Sequence, residues 1–365
     1  MKNIVTLDDV CKVKASKIIQ KSLINLKGIY PVYGATGFIK NVDFYEQDEE
    51  YIAIVKDGAG IGKTMLLPKK SSILSTMQYI LPKENIDIKY LYYAISYMDL
   101  RKYFTGATIP HIYFKDYKKE KLSLPNKQEQ RNIVSKLISI DKLIELKKQQ
   151  IIILNKLVSS LFIELFGSQV DNPYNFEKGI IKDVVNEVKY GTSSPANDNG
   201  IYPYLRMGNI TYDGQLDLTN LKYITINDKE LDKYIVKKGD VLFNRTNSKE
   251  LVGKTCVFNL DEPMIIAGYI IRVRTNNRVI PEYLSAVLNS KYGKQTLFDM
   301  CKSIVGQANI NAQELQKIKL LIPPIEIQLK YKSYLVQIDK SKLAIQQSLE
   351  KLEILKKSLM QEYFG

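Results

Sequence analysis

Asp57-Gly-Ala-Gly-Ile-Gly-Lys-Thr64 is the stretch whose residue types and spacing come nearest to a known chemistry. Glycines ahead of a Lys-Thr pair build a phosphate cradle, in which backbone N–H groups hold the anion and the lysine reaches its outer oxygens. The pattern is incomplete, because Asp57 stands where the first glycine belongs. Such a loop must also open a helix whose N-terminus faces the phosphate. Here Met65-Leu66-Leu67 reads as a strand and Pro68 follows. Gly-Lys-Thr recurs at 253–255 without the preceding glycines. The stretch therefore reads as a tight turn between strands, with a nucleotide-binding ATPase built on 57–64 as the rival.

Other chemistry-bearing groups are sparse. Gly58, Gly60 and Gly62 form no dinucleotide fingerprint, and Asn172-Pro-Tyr-Asn175 lacks the second proline of a methyltransferase motif. Asp141 with Glu145-Leu-Lys147 resembles a nuclease carboxylate set but lies in a helical repeat, where a solvated face is the better reading. One histidine, His111, serves the whole chain, which leaves imidazole catalysis a single base. It stands in Thr108-Ile-Pro-His-Ile112, either as a donor to a phosphate or base or as a structural loop residue. The three cysteines, Cys11, Cys256 and Cys301, have no zinc-ligand spacing and suit reduced thiols. No catalytic, cofactor-binding or metal-binding set is expected in this chain. Asn244-Arg-Thr-Asn-Ser-Lys249 after the apolar 241–243 reads equally as a polar loop without a partner or as a DNA contact, since its side chains are of the kinds that read base edges and grip phosphates; Leu205-Arg-Met-Gly-Asn209 invites the second reading with less force. Arg272-Val-Arg274 invites the same reading.

The charge balance agrees. A formal net charge of +14 favours a polyanionic partner, with nucleic acid the default. The start has no apolar run of signal-peptide length, and no uninterrupted apolar stretch nears the ~20 residues of a membrane helix. A cytoplasmic protein without membrane contact is expected.

What positions these groups is a repeat. Leu122–Gly167 set against Leu320–Gly365, a shift of 198 residues, has 16 identities in 46 ungapped positions. They include Pro125/Pro323, Gln130/Gln328 and the closing Phe-Gly. Each copy reads as a long helix with a 3.5-residue apolar seam. In the first copy the seam is Ile133, Leu137, Ile140, Ile144, Lys147, Ile151, Leu154, Val158, Leu161 and Leu165. In the second it runs from Tyr331 to Tyr363, broken by Lys342 and Lys356. Such a pattern over four heptads is a coiled-coil signal.

Residues 1–121 and 174–318 read as mixed α/β, with strands at Tyr51–Val55, Thr64–Leu67, Ile235, Val241–Phe243, Cys256–Phe258 and Ile270–Val273. Helices are expected over Tyr90–Phe104 and Pro281–Asp299. The two parts are weakly alike in the same order: Tyr30-Pro31 answers Tyr202-Pro203, Gly-Lys-Thr recurs, Tyr90-Leu91 answers Tyr283-Leu284, and Gly106 answers Gly306. The expected fold class is α/β (α+β): two globular domains and an antiparallel coiled coil of two long helices, with a pseudo-twofold internal repeat. The domains run 1–125 and 168–323, and the helices 126–167 and 324–365.

Together these features resemble the specificity subunit of type I restriction–modification enzymes. The carrying residues are Tyr30-Pro-Val-Tyr-Gly-Ala-Thr-Gly37, Pro203-Tyr-Leu-Arg-Met-Gly-Asn-Ile210, Lys238-Gly-Asp-Val-Leu-Phe-Asn-Arg245, Gly306-Gln-Ala-Asn-Ile310 and Leu321-Ile-Pro-Pro324. The first half departs at Leu124-Pro-Asn126, where a second proline is usual, and the second at Ile327-Gln328, where Glu-Gln is usual. The resemblance implies two target-recognition domains, each reading half of a bipartite site in double-stranded DNA. It implies helices that set the half-site spacing and dock two methyltransferase subunits, with a restriction/translocase subunit joining them. S-adenosylmethionine and ATP with Mg would then sit on those partners and none in this chain, which would be no enzyme by itself. The DNA-contacting candidates are Tyr33, Thr36, Lys56, Lys63 and His111 in the first half, and Arg206, Asn209, Arg245, Thr246, Asn247, Ser248 and Lys249 in the second. A coiled-coil scaffold without DNA is the remaining rival.

Overall fold

The computed structural model describes residues 3–106, 110–197, 199–304 and 307–365. Thr108 and Gly306 lie outside them. The chain forms two compact units, Met1–Gln149 with Ile345–Gly365, and Gln150–Ala344.

In the first unit, a four-stranded antiparallel sheet runs in the order Cys11–Ala15, Met77–Pro82, Tyr51–Val55, Thr64–Leu67. Tyr51–Val55 is buried along its whole length. Side chains alternate across a strand, so Ile52 and Ile54 enter the core beneath the helix Ile88–Tyr97, while Tyr51, Ala53 and Val55 enter a second cluster. A smaller sheet holds Gly37–Val42, Tyr30–Gly34 and Ser72–Ile73, the last pair parallel. The helix expected over Tyr90–Phe104 ends at Tyr97. Met98 turns extended, and Asp99 accepts from the Arg101 N–H to start a separate 3-10 turn, Leu100–Tyr103.

The second unit repeats this plan. Its four-stranded sheet runs Val185–Tyr190, Ile270–Thr275, Val241–Asn244, Thr255–Val257, and its second sheet contains Tyr202–Leu205 parallel to Met264–Ile266. The helix expected over Pro281–Asp299 is two helices, Pro281–Asn289 and Lys291–Met300. Ser290 breaks it by turning extended and accepting from the Gly293 N–H at 3.1 Å.

The repeat extends to single hydrogen bonds. Gln130 and Gln328 are both buried, and each stitches a helix start to a proline carbonyl. Gln130 accepts from Asp87 N (2.7 Å) and donates to Pro125 O (2.8 Å); Gln328 accepts from Ile280 N (2.9 Å) and donates to Pro323 O (2.8 Å). Tyr90 Oη donates to Ser123 O at 2.8 Å, and Tyr283 Oη to Leu321 O at 2.7 Å.

The long helices are Lys127–Phe166 and Ile325–Phe364. Asn126, standing where a proline was the usual residue, caps the first by accepting from Glu129 N at 3.0 Å. Gly167 closes it at φ +67°, where a side chain is strained. All ten expected seam positions of each helix are buried or half-buried. Contacts within each unit run antiparallel: Lys136 to Tyr363 and Lys148 to Glu353 in the first, Phe162 and Phe166 against Tyr331 in the second. Asp141 belongs to this packing, accepting from Tyr93 Oη (2.8 Å) and pairing with Lys356 (2.5 Å), one of the two lysines that break the second seam.

Candidate nucleic-acid interface

Each unit builds the same polar cluster where a central strand runs out. In the first, Tyr51–Val55 leads into Lys56 and Asp57. Lys56 Nζ lies 3.4 Å from Asp57 Oδ2, and Asp57 Oδ1 holds His111 Nδ1 at 2.7 Å. Backbone bonds tie the strand end to the segment around His111: Ile112 N to Lys56 O and Gly58 N to Pro110 O, both 2.9 Å. Lys63 Nζ donates to Ala35 O at 2.9 Å, drawing in the exposed turn of the Tyr30–Val42 hairpin at Thr36. Tyr33 packs edge-on against Phe38, centroids 6.2 Å apart. The five candidates of this half, Tyr33, Thr36, Lys56, Lys63 and His111, thus come from segments joined to one another. Thr64 opens a strand rather than a helix, so the 57–63 turn does not lead into the helix that a phosphate cradle requires. This removes the phosphate-cradle reading.

In the second unit the same positions carry other side chains. Arg245 follows Val241–Asn244 as Lys56 follows Tyr51–Val55, and Ile310 N donates to Arg245 O at 2.9 Å, matching Ile112 on Lys56. Thr246 Oγ1 donates to Asn309 Oδ1 at 2.9 Å where Asp57 meets His111. Arg245 lies over the Tyr190 ring at 4.8 Å. Arg206 and Arg245 line one cleft of about 800 Å³ with Thr192, Tyr204 and Tyr269. The Nε of each arginine is buried without a partner among the described residues. Neither guanidinium is paired with a carboxylate among the described residues, and base edges and phosphates are acceptors for the outer N–H groups of such a fork.

The remaining candidates shape this surface. Asn209 is 3% exposed, with its amide bonded to Arg206 N and Asp217 O, so it sets the turn that carries Arg206. Thr246–Asn247 is a short strand paired with Gln307–Asn309, not free loop. The Asn247 carboxamide accepts from Ser248 N, and Lys249 rests on the Phe298 ring at 4.1 Å, outside the cleft. The reading of Arg272 and Arg274 as DNA contacts is corrected. Arg272 has no exposed surface and pairs with Glu187 at 2.6 Å, while Arg274 joins Asp240 and Glu187. Asn309, Tyr190 and Lys254 escaped the sequence reading; repeat alignment to His111 and Lys63 was the signal for Asn309 and Lys254.

Two ammonium groups on this side of the second unit face carbonyls instead of carboxylates. Lys254 Nζ donates to Met207 O at 2.8 Å, and Lys294 Nζ to Gly253 O at 3.4 Å. Burial pushes the Lys294 ammonium down from 10.5 to about 8, assisted by repulsion from Lys254. Between those values the unfolded chain holds a proton that the folded one does not, so this group's contribution to stability rises with pH. Lys294→Met is therefore expected to raise the melting temperature at pH 7, with the gain shrinking to nothing as pH climbs past about 10. Thermal denaturation of both proteins across pH 7–10 measures it.

The family model of the type I restriction modification DNA specificity domain matches residues 2–156 and again 173–355. The chain belongs to this family. Among specificity-family relatives, it is 29% identical over 196 residues to a Methanocaldococcus jannaschii chain named as the type I restriction enzyme MjaX specificity subunit, covering 53% of this chain and 46% of that one. The chain thus spans about half the length of that relative. It is 26% identical over 339 residues to the MjaVIII specificity subunit of the same organism, covering 86% of this chain and 78% of that one. The crystal structure of a type I restriction-modification S subunit from M. genitalium shares its fold, with TM-score 0.65 and 18% identity over 100% of this chain and 96% of the other.

Proposed function

We propose that this chain is the DNA-reading subunit of a type I restriction–modification complex and reads a two-part target in double-stranded DNA, one half with each unit. One observation carries this: a single scaffold, built twice, presents different side chains at matching places. Lys56, Asp57 and His111 in one unit answer Arg245, Thr246 and Asn309 in the other. Arginine favours guanine O6 and N7 and asparagine favours adenine, so the two halves of the target differ in sequence.

The chemistry belongs to partners: two methyltransferase subunits with S-adenosylmethionine, and a restriction/translocase subunit with ATP and Mg. The long helices support docking, since Leu143, Ile152, Ile153, Leu343 and Ile354 stand 46–63% exposed. By length and composition Lys127–Phe166 is also apolar enough to cross a membrane. Its seam is already covered by the second helix, and protein partners are the better match for the rest, in a cytoplasmic complex.

The test is methylation mapping of DNA modified by this chain with its methyltransferase partner, which should yield a bipartite site. Specific binding should also weaken steeply with salt, with a log–log slope of at least about −4, because each neutralised phosphate contributes about −0.9. A slope near zero on the mapped site would exclude the electrostatic part of the reading.

A further inference from the structure

The repeated Gly-Lys-Thr has no role as a phosphate cradle, yet its geometry is the same in both units. Gly62 N donates to Val55 O (2.9 Å) and Val55 N to Lys63 O (2.9 Å); Gly253 N donates to Asn244 O (2.8 Å) and Asn244 N to Lys254 O (2.8 Å). The glycines sit at φ +79° and +74°, a turn that side chains rarely adopt. Thr64 and Thr255 each donate a hydroxyl bond to their glycine's carbonyl, at 3.2 and 3.0 Å. The lysine between them then reaches out of its own sheet. Lys63 takes Ala35 O at 2.9 Å and Lys254 takes Met207 O at 2.8 Å, each the carbonyl of the turn that follows a strand of the unit's second sheet.

These two carbonyls belong to the turns that carry the candidate readers Thr36 and Arg206. The other readers, Lys56 and Arg245, leave a central strand of the unit's other sheet. Readers in each unit thus arise from two sheets, and one ammonium ties the two sources together. Holding such groups to within about half an ångström is what base discrimination demands of its supporting residues. Lys254 is 9% exposed, so it has little surface to offer a phosphate.

We propose that Lys63 and Lys254 are positioning residues, paired latches that fix the reading turn of each unit against its central strand. This rests on the two-half-site reading above. It makes a different prediction from phosphate contact: a lost phosphate contact weakens binding on every sequence and lowers the salt slope by about 0.9, whereas a lost latch loosens discrimination at one half-site and leaves the slope alone.

The experiment uses the full chain assembled with its methyltransferase partner on a library varied in both half-sites. Lys254→Met is expected to reduce discrimination about 10-fold at the half read by the second unit only, and Lys63→Met at the other half only, a charge-assisted hydrogen bond being lost in each. Lys63→Arg, which keeps a donor, should restore most of it. Equal weakening on all sequences with a flatter slope would make these lysines phosphate contacts and overturn the latch, and so would unchanged discrimination. If Lys254→Met fails to fold, the exposed Lys63 decides alone. A wild-type complex without two distinct half-sites would instead defeat the reading on which the latch depends.

Discussion

Arg245→Ala is expected to weaken binding to the target by about 5- to 150-fold, roughly 1–3 kcal/mol, with the whole loss at one half-site. Three observations set that magnitude. The guanidinium is held over Tyr190 at 4.8 Å, so its fork is pre-aimed. Its backbone is locked on both sides, by Tyr269 O and by Ile310 N. Its Nε has no partner among the described residues, so no neighbour competes with a base for the guanidinium. Quantitative binding to duplexes substituted one base at a time separates the possibilities: specificity should relax at one or two base pairs of one half, and equal loss on all duplexes would withdraw Arg245 from base reading. Lys249→Ala, whose side chain rests on Phe298 outside the cleft, should weaken binding without relaxing any position.

Phe166→Ala should destabilise the second unit by about 3–5 kcal/mol, the usual cost of emptying a buried phenylalanine site. Phe166 has no exposed surface and meets Tyr283, Phe162 and Tyr331 at centroid distances of 4.7, 5.2 and 5.3 Å. Its repeat counterpart, Phe364, meets Tyr90 at 5.2 Å but is only partly buried, so Phe364→Ala in the first unit should cost distinctly less. Hydrogen exchange resolves the two: Phe166→Ala should speed exchange in Pro281–Asn289 and leave Ile88–Tyr97 protected. Equal costs for both variants would mean that burial does not govern these sites.

The repeat explains why so much was readable beforehand. A heptad seam is a local pattern, and its 3.5-residue spacing puts all ten positions of each helix on one side, where they are buried or half-buried. A duplicated chain also supplies its own comparison: Gln130/Gln328 and Tyr90/Tyr283 were visible as identities and emerged as the same hydrogen bonds twice. Helix ends were less legible. Both globular helices were extended too far, because Asp99 and Ser290 look like ordinary polar residues until their side chains bond backbone N–H groups to begin a new turn.

The candidate site divides along the same line. That polar, basic residues follow apolar strands was plain from residue order, and so was the incompleteness of the phosphate-binding pattern. Which arginine faces outward was not. Arg206, Arg245, Arg272 and Arg274 all lie in or beside strands, and no local signal separates them. Arg272 disappears because Glu187 and the Ile235 carbonyl meet it, while Arg245 stays presented because its neighbours are an aromatic face and a backbone lock. Residue order alone determined the duplication, the two long helices and the basic character, because each rests on composition or on periodicity within a few turns. Tertiary structure alone decided that Arg272 is buried against Glu187 and that Lys63 and Lys254 bridge two sheets, because those facts depend on partners brought together from 85, 28 and 47 residues away.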